Sequence, residues 1–254
     1  MYKISVVTIC YNVERDVERT IKSVLEQDYP NVEYIIVDGK SSDGTMSVVN
    51  KYADKIDCVI SEPDNGIYDA MNKGIKVATG DWINFMNVGD TFFSKTVLSD
   101  FAKSVDEDTD VAYCDAMMIY HQGKKIYRPD PISVLEKRMA FCHQSSFIRA
   151  SVHKERPFDL QYKLSADYDF FRYCYKESKT FQYIPMIAAN YECEDGLSVK
   201  RRLLGQKEDF LINGDAFTVI GKVKFFLWVM KFRVKNGIKK FLPDGVVNKI
   251  KGVK

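Results

Sequence analysis

Short β-branched runs alternate with apolar stripes at helical spacing through residues 3–90, and this alternation constrains the fold more than any other feature. Lys3–Ile9 is an apolar run suited to a buried strand, and Val17, Ile21, Val24 and Leu25 then repeat at helical spacing. Val32–Val37 reads as the next strand, followed by the Gly-, Ser- and Asp-rich turn Asp38–Thr45, with Thr45 as the N-cap of a helix. Asp57–Ser61 is a short strand, Asn65-Gly66 a turn, and Ile67, Met71, Ile75 and Ala78 the stripe of another helix before a strand at Trp82–Met86. Strands and helices joined in this order by short loops predict an α/β fold, with a mostly parallel central sheet and helices on both faces. Ligands of such sheets bind at the carboxyl ends of the strands. That rule gathers Ile9–Asn12, Asp38–Ser42, Ser61–Tyr68 and Asn87–Asp90 on one rim.

The second half is less regular. Val111–Ile119 reads as a strand turning at Gln122-Gly123 into Lys125–Tyr127, and Asp167–Glu177 and Arg201–Phe217 read as helices. Gly74 interrupts a helical stripe, where glycine costs about 1 kcal/mol relative to alanine, so close packing against a neighbour is expected there.

The rim segments, taken together, carry a resemblance. Thr8–Asn12, Ser23–Gln27, Val37–Thr45, Glu62–Ile75 and Ala78–Asp90 stand in an order that resembles the family 2 glycosyltransferases of GT-A fold. The resemblance runs over most of residues 3–90 and continues thinly to about residue 209. It implies a nucleotide-sugar-binding domain and inverting transfer of a sugar from a nucleoside diphosphate, with Mn2+ or Mg2+ as cofactor. It implies nucleotide-sugar contacts from Thr8, Tyr11, Asn12, Asp38, Asp69, Lys73, Asn87 and Arg201. Metal contacts would come from Asp90 and His143, and acceptor-side catalysis from Asp167 and Asp169.

Each assignment has a physical basis and a competing one. Asp38 at a strand end can accept from a pyrimidine N–H, or it can serve the loop as an Asx turn. Asp43 is read as a turn residue and cap. Asp69 can meet the nucleoside or merely favour a helix N-terminus. Lys73 serves the donor or is simply solvated. Two phosphates call for a cation held by oxygen ligands. The family's acidic motif is altered here: Asn87 and Gly89 stand at its acidic positions, and Asp90 follows one residue later. His143, in Cys142–Ser146, is a ligand or an internally satisfied ring. In Ser165–Arg172, Asp167 matches the family's base, which removes the acceptor proton; Asp169 orients a neighbour or holds the acceptor, and both could instead favour a helix start. The family commonly has a second acid where Gly39 stands, so one contact is missing or comes from elsewhere. Gly196–Ser198 with Arg201, Arg202 and Glu208 resembles a segment over the diphosphate.

Charge divides the chain. Residues 216–254 hold ten Lys/Arg and one acid, while the rest is net acidic. The longest apolar run there, Phe225–Met230, is far short of the ~20 residues that span a membrane. A basic amphipathic helix lying on an anionic membrane through residues 219–254 is expected. No nucleic-acid partner is expected, since the aromatics form one apolar block. The chain divides into 1–215, the GT-A unit (1–90 nucleotide-binding, 91–215 acceptor-side), and the tail 216–254. Six cysteines without a CxxC pair and a start directly on a strand-like run suit a cytoplasmic protein, peripheral on the inner face of the cell membrane.

The expected substrates are a UDP-hexose or UDP-N-acetylhexosamine and a glycan or lipid-linked saccharide acceptor, in bacterial surface polysaccharide assembly. The rival readings are a non-catalytic sugar-nucleotide or glycan-binding module and a nucleotidyltransferase, the latter lacking its Gly- and Arg-rich loop after the first strand. A dehydrogenase is disfavoured because no GxGxxG follows that strand.

Overall fold

The computed structural model describes residues 1–194 and 201–239, with side chains through residue 234. Its first half is the expected alternation: β1 (Ile4–Cys10), α1 (Val17–Leu25), β2 (Val32–Asp38), α2 (Thr45–Val49), β3 (Cys58–Ser61), α3 (Ile67–Val77) and β4 (Trp82–Phe85). The second half adds β5 (Thr91–Phe92), α4 (Val97–Ser104), β6 (Val111–Tyr120), β7 (Gly123–Tyr127), β8 (Ser146–Arg149), α5 (Ala150–Glu155), α6 (Ala166–Lys176), β9 (Phe181–Glu192), α7 (Arg202–Ile212) and α8 (Val219–Lys239).

The described strands form one sheet in the order β3-β2-β1-β4-β8-β6-β9-β5, with β7 hydrogen-bonded to β6. The block β3-β2-β1-β4 is wholly parallel, as expected. β8 joins it antiparallel, and β6 and β9 run parallel to each other. Side chains alternate between the faces as the two-residue strand period requires. Val7, Ile9, Ile35 and Val37 pack with Met71 and Ile75 of α3 and with Phe170 and Phe171 of α6. Ile4, Val6, Tyr34 and Ile36 pack with Ile21 and Val24 of α1 and with Leu98 and Phe101 of α4. These two clusters are the core, one on each side of the sheet.

One local expectation resolves differently. Gly44, not Thr45, is the residue before α2. Thr45 is the first helical residue, and its hydroxyl accepts from Val13 N at 2.8 Å, tying α2 to the loop after β1. Strand β9 carries Pro185 in its interior, where proline has no N–H for a ladder. The structure absorbs it in a bulge: the β6–β9 register moves from Cys114↔Ile184 to Asp115↔Ile187, so Pro185 and Met186 are skipped.

Helix α8 is apolar on more than one side. Phe225 stacks on Phe210 of α7 at 4.7 Å. Val219, Ile220, Val223, Phe226, Leu227 and Met230 are exposed at helical spacing. Among the described residues no helix is long and apolar enough to cross a membrane. Gly196–Ser198 and residues 240–254 lie outside the described residues.

Candidate active site

The parallel register sets Cys10 beside Asp38 and Asp38 beside Ser61, so the loops after β1, β2 and β3 meet on one rim. They are strapped together. Asn12 Oδ1 accepts from Ser42 N at 2.9 Å, and Asn12 N donates to Ser41 Oγ at 2.8 Å. Asn12 and Lys40 both hold positive φ, 52° and 67°. Asparagine tolerates that region, whereas a residue such as lysine needs its surroundings to impose it. Asn12 is therefore a strut of the rim, and the neighbouring Tyr11 is 62% exposed.

Asp38 and Thr8 both lie buried beneath the rim. Asp38 has no exposed surface. Its carboxylate accepts from Ser41 N at 3.1 and 3.2 Å, from Ser61 Oγ at 2.7 Å, and from Ser41 Oγ and the Cys10 thiol. The turn role is the one it fills, organising the loop from within. Thr8 is likewise buried, its hydroxyl donating to Met86 O at 2.8 Å and facing Tyr34 Oη at 3.1 Å. It joins β1 to the residue after β4 and presents nothing to the rim.

The β3–α3 loop is held as firmly. Asp69 accepts from Asn65 N at 2.8 Å, and Asp64 Oδ1 accepts from Gly66 N at 2.9 Å. Lys73 is held in place: its ammonium donates to Pro63 O at 2.6 Å and pairs with Glu62 at 3.0 Å.

Beyond β4, Asn87–Asp90 turns through Gly89, whose φ of 100° suits glycine. Arg19 from α1 donates to Gly89 O, and Thr20 Oγ1 donates to Asp90 O at 2.8 Å. Asp90 is buried, and its Oδ1 accepts from Glu192 N at 2.8 Å at the end of β9. Burial pushes its carboxyl up to about 7, against the hydrogen bond from Glu192 N. Asn87 Oδ1 is buried with no hydrogen-bond partner. Asn87 and Asp90 share one turn, Asp90 N donating to Asn87 O at 3.0 Å, and an unpartnered amide oxygen and a carboxylate are the hard-oxygen donors that Mg2+ or Mn2+ takes.

His143 faces Asp167. Its ring is enclosed by Phe85, Phe158 and Phe171, and its Nδ1 stands 3.7 Å from Asp167 Oδ2. Burial lowers its pKa, with the Asp167 charge pulling the other way. Its Nε2 is buried without a hydrogen-bond partner. Among the described residues no group of three or more His, Cys, Asp or Glu side chains is arranged to hold an ion.

Asp167 lies in the first turn of α6. Tyr68 from α3 donates to its Oδ1 at 2.8 Å, and Tyr168 N donates to the same oxygen at 2.9 Å. It lines a cavity of about 220 Å³ together with Met139, Leu164, Ser165, Arg202 and Asp209. Burial raises the Asp209 carboxyl to about 6, with Ser165 opposing the shift and Asp167 adding to it. Glu208 fixes the approach to α6: its carboxylate accepts from Lys163 N, Leu164 N and Ser165 N at 2.8–3.0 Å. Asp169 is drawn away, paired with Arg156 at 2.6 Å, so it ties α6 to the end of α5 and does not face the cavity lining. Arg201 is exposed at the N-terminus of α7, whereas its neighbour Arg202 reaches the cavity.

Sequence reasoning missed Tyr68, Asp209 and Glu192. Each acts on a group about 40 to 100 residues away, and no local pattern links them.

Comparison with known proteins completes the description. The family model described as glycosyl transferase family 2 matches residues 5–178. A "PGL/p-HBAD biosynthesis glycosyltransferase" of Mycobacterium bovis is 29% identical over 205 residues, covering 78% of this chain and 79% of its own. The crystal structure of S. aureus TarS 1–349 in complex with UDP-GlcNAc matches with a TM-score of 0.68 at 19% identity, over 83% of this chain and 64% of that one. The mannosyltransferase PcManGT of Pyrobaculum calidifontis, in complex with GDP-Man and Mn2+, matches with a TM-score of 0.67 at 18% identity, over 83% of this chain and 63% of that one. This chain thus spans less than two thirds of either solved protein, and at such identity the likeness is one of fold. The parallel block β3-β2-β1-β4, the mixed sheet that extends it and the family match over most of the chain agree: this chain belongs to glycosyl transferase family 2, a glycosyltransferase of GT-A fold.

Proposed function

We propose that the chain transfers, with inversion, a hexose or N-acetylhexosamine from a UDP-sugar to a hydroxyl of a glycan or lipid-linked saccharide during bacterial surface polysaccharide assembly. The observation that carries this reading is Asp167, held by Tyr68 at the first turn of α6 and lining an open cavity. Asp167 takes the acceptor hydroxyl proton while that oxygen forms its bond to the anomeric carbon. The bond from that carbon to the diphosphate breaks, and UDP departs. A positioned base of this kind contributes about 10²–10⁴-fold. Residues 1–90 supply the donor side and 91–215 the acceptor side. Asp90 and Asn87 would hold Mn2+ or Mg2+, and the cation would neutralise charge on the leaving diphosphate. The GDP-Man complex with Mn2+ of the archaeal fold neighbour supports a divalent cation, and the UDP-GlcNAc complex supports the choice of donor.

We further propose that the tail, residues 216–254, rests on the cytoplasmic face of an anionic membrane. The exposed apolar stripe of α8, interspersed with Lys222, Lys224, Lys231 and Arg233, supports this. Co-sedimentation with vesicles containing anionic lipid, lost in high salt or when Phe226 and Leu227 become serine, is the expected result. Indifference to both changes would refute it.

UDP release across a panel of saccharide acceptors tests the chemistry. Wild type turns over and Asp167→Asn does not; equal rates would remove Asp167 from the mechanism.

A further inference from the structure

The family's second rim acid is missing at Gly39, and the structure holds another carboxylate in its space. A Cβ on Gly39 would collide with Asp64 Oδ2 and stand 3.2 Å from Tyr11 Cδ2. The side chain that residue 39 lacks is thus replaced, in position, by one reaching across from the loop after β3. Asp38 cannot serve in its stead. A carboxylate offers about four acceptor sites, and those of Asp38 are taken by Ser41 N, Ser41 Oγ, Ser61 Oγ and the Cys10 thiol, with no surface exposed.

Asp64 has what Asp38 lacks. Its Oδ1 is fixed by Gly66 N at 2.9 Å, which sets the carboxylate plane. Its Oδ2 has no hydrogen-bond donor among the described residues, and the side chain is partly exposed. The loop beneath it is braced by Lys73 through Pro63 O and Glu62. Beside it stands the Tyr11 ring, exposed and without a hydrogen bond among the described residues. A flat aromatic face next to a pre-oriented free carboxylate oxygen suits a nucleobase that stacks and donates one in-plane N–H.

Resting on the UDP-sugar reading above, we propose that Asp64 is the nucleobase-selecting residue: its Oδ2 accepts the imide N–H of uracil while Tyr11 covers the ring. Cytosine bears no hydrogen at the equivalent nitrogen, so the same oxygen repels it.

Titration calorimetry with UDP and CDP tests this on wild type, Asp64→Ala, Asp64→Asn and the double variant Gly39→Asp/Asp64→Gly, each checked for folding by circular dichroism. A hydrogen bond to a charged group is worth roughly 10- to 100-fold in affinity. Wild type should prefer UDP to CDP by at least ~10-fold. Asp64→Ala should lose about that factor for UDP and with it the preference, and Asp64→Asn should abolish or reverse the preference, since its amide can donate to cytosine. The double variant, which returns an acid to the vacated space, should recover UDP binding to within a few-fold. Wild-type UDP affinity and preference in Asp64→Ala would overturn this proposal and leave the donor reading intact. Failure of wild type to bind UDP at all would overturn both.

Discussion

Tyr68 donates a 2.8 Å hydrogen bond to Asp167 Oδ1 across 99 positions of sequence, from α3 in the first half of the chain to α6 in the second. Burial, with the Asp167 charge adding to it, raises the Tyr68 pKa well above its ordinary value. With Tyr68→Phe, the carboxylate loses its orienting partner but keeps its charge. The expected outcome is a kcat lower by roughly ten-fold with the donor KM little changed. Steady-state UDP release in the presence of acceptor measures both, and an unchanged kcat would mean that the contact is only structural.

Glu208 gathers three backbone N–H groups of the segment entering α6. Replacing it with alanine leaves those donors without a partner. The expected cost is about 3 kcal/mol in urea unfolding, with Glu208→Gln losing less because one amide oxygen remains. A near-zero change for alanine would show that water replaces the carboxylate freely.

Gly74 lets α3 approach the sheet: a Cβ there would lie 2.5 Å from Val7 Cγ1 and 3.6 Å from Val37 Cγ2. Alanine gains about 1 kcal/mol of helix propensity but overpacks a core at a typical cost of about 1–3 kcal/mol. Gly74→Ala is expected to lower the thermal midpoint. A rise would mean that Val7 rotates out of the way at little cost.

His153 is fully buried, stacked on Phe170 at 4.3 Å, and neither ring nitrogen has a hydrogen-bond partner. Burial, and then the nearby His143, lowers its pKa from 6.5 to about 3. Between those values the unfolded chain binds a proton that the native state refuses, so stability falls as pH drops through 6.5 toward 3. His153→Phe removes that proton uptake. The variant is expected to gain on wild type by about 2 kcal/mol between pH 8 and pH 5. Denaturant titrations at the two pH values give the difference directly, and parallel pH profiles would contradict it.

The first half of the fold was legible because its signals are local. β1–β4 announce themselves by β-branched runs, α1 and α3 by apolar spacing, and the turns by Asn65-Gly66 and Asp43. Gly74 stood out for the reason the structure confirms, its contact with Val7. Roles of polar groups were less legible, because a carboxylate's role depends on partners that sequence distance hides. Asp38 is taken up by Ser41 and Ser61, Asp169 by Arg156, and Lys73 by Glu62 and Pro63, while Asp167 meets Tyr68 and His143. The same limit hid β9, where a bulge accommodates a proline that local rules exclude from a strand interior.

Strand β9 carries one more consequence. The family match ends at residue 178, yet the sheet does not: β9 begins at Phe181, lies between β6 and β5, and delivers Glu192 N to Asp90. The segment that the family model matches is therefore smaller than what must fold together. A fragment cut at the edge of the match would bare the flank of β6, an open strand edge that invites pairing with other chains. It would also strip the buried Asp90 carboxyl of its backbone donor. The end of the family model's match is therefore not a place where this chain can be divided.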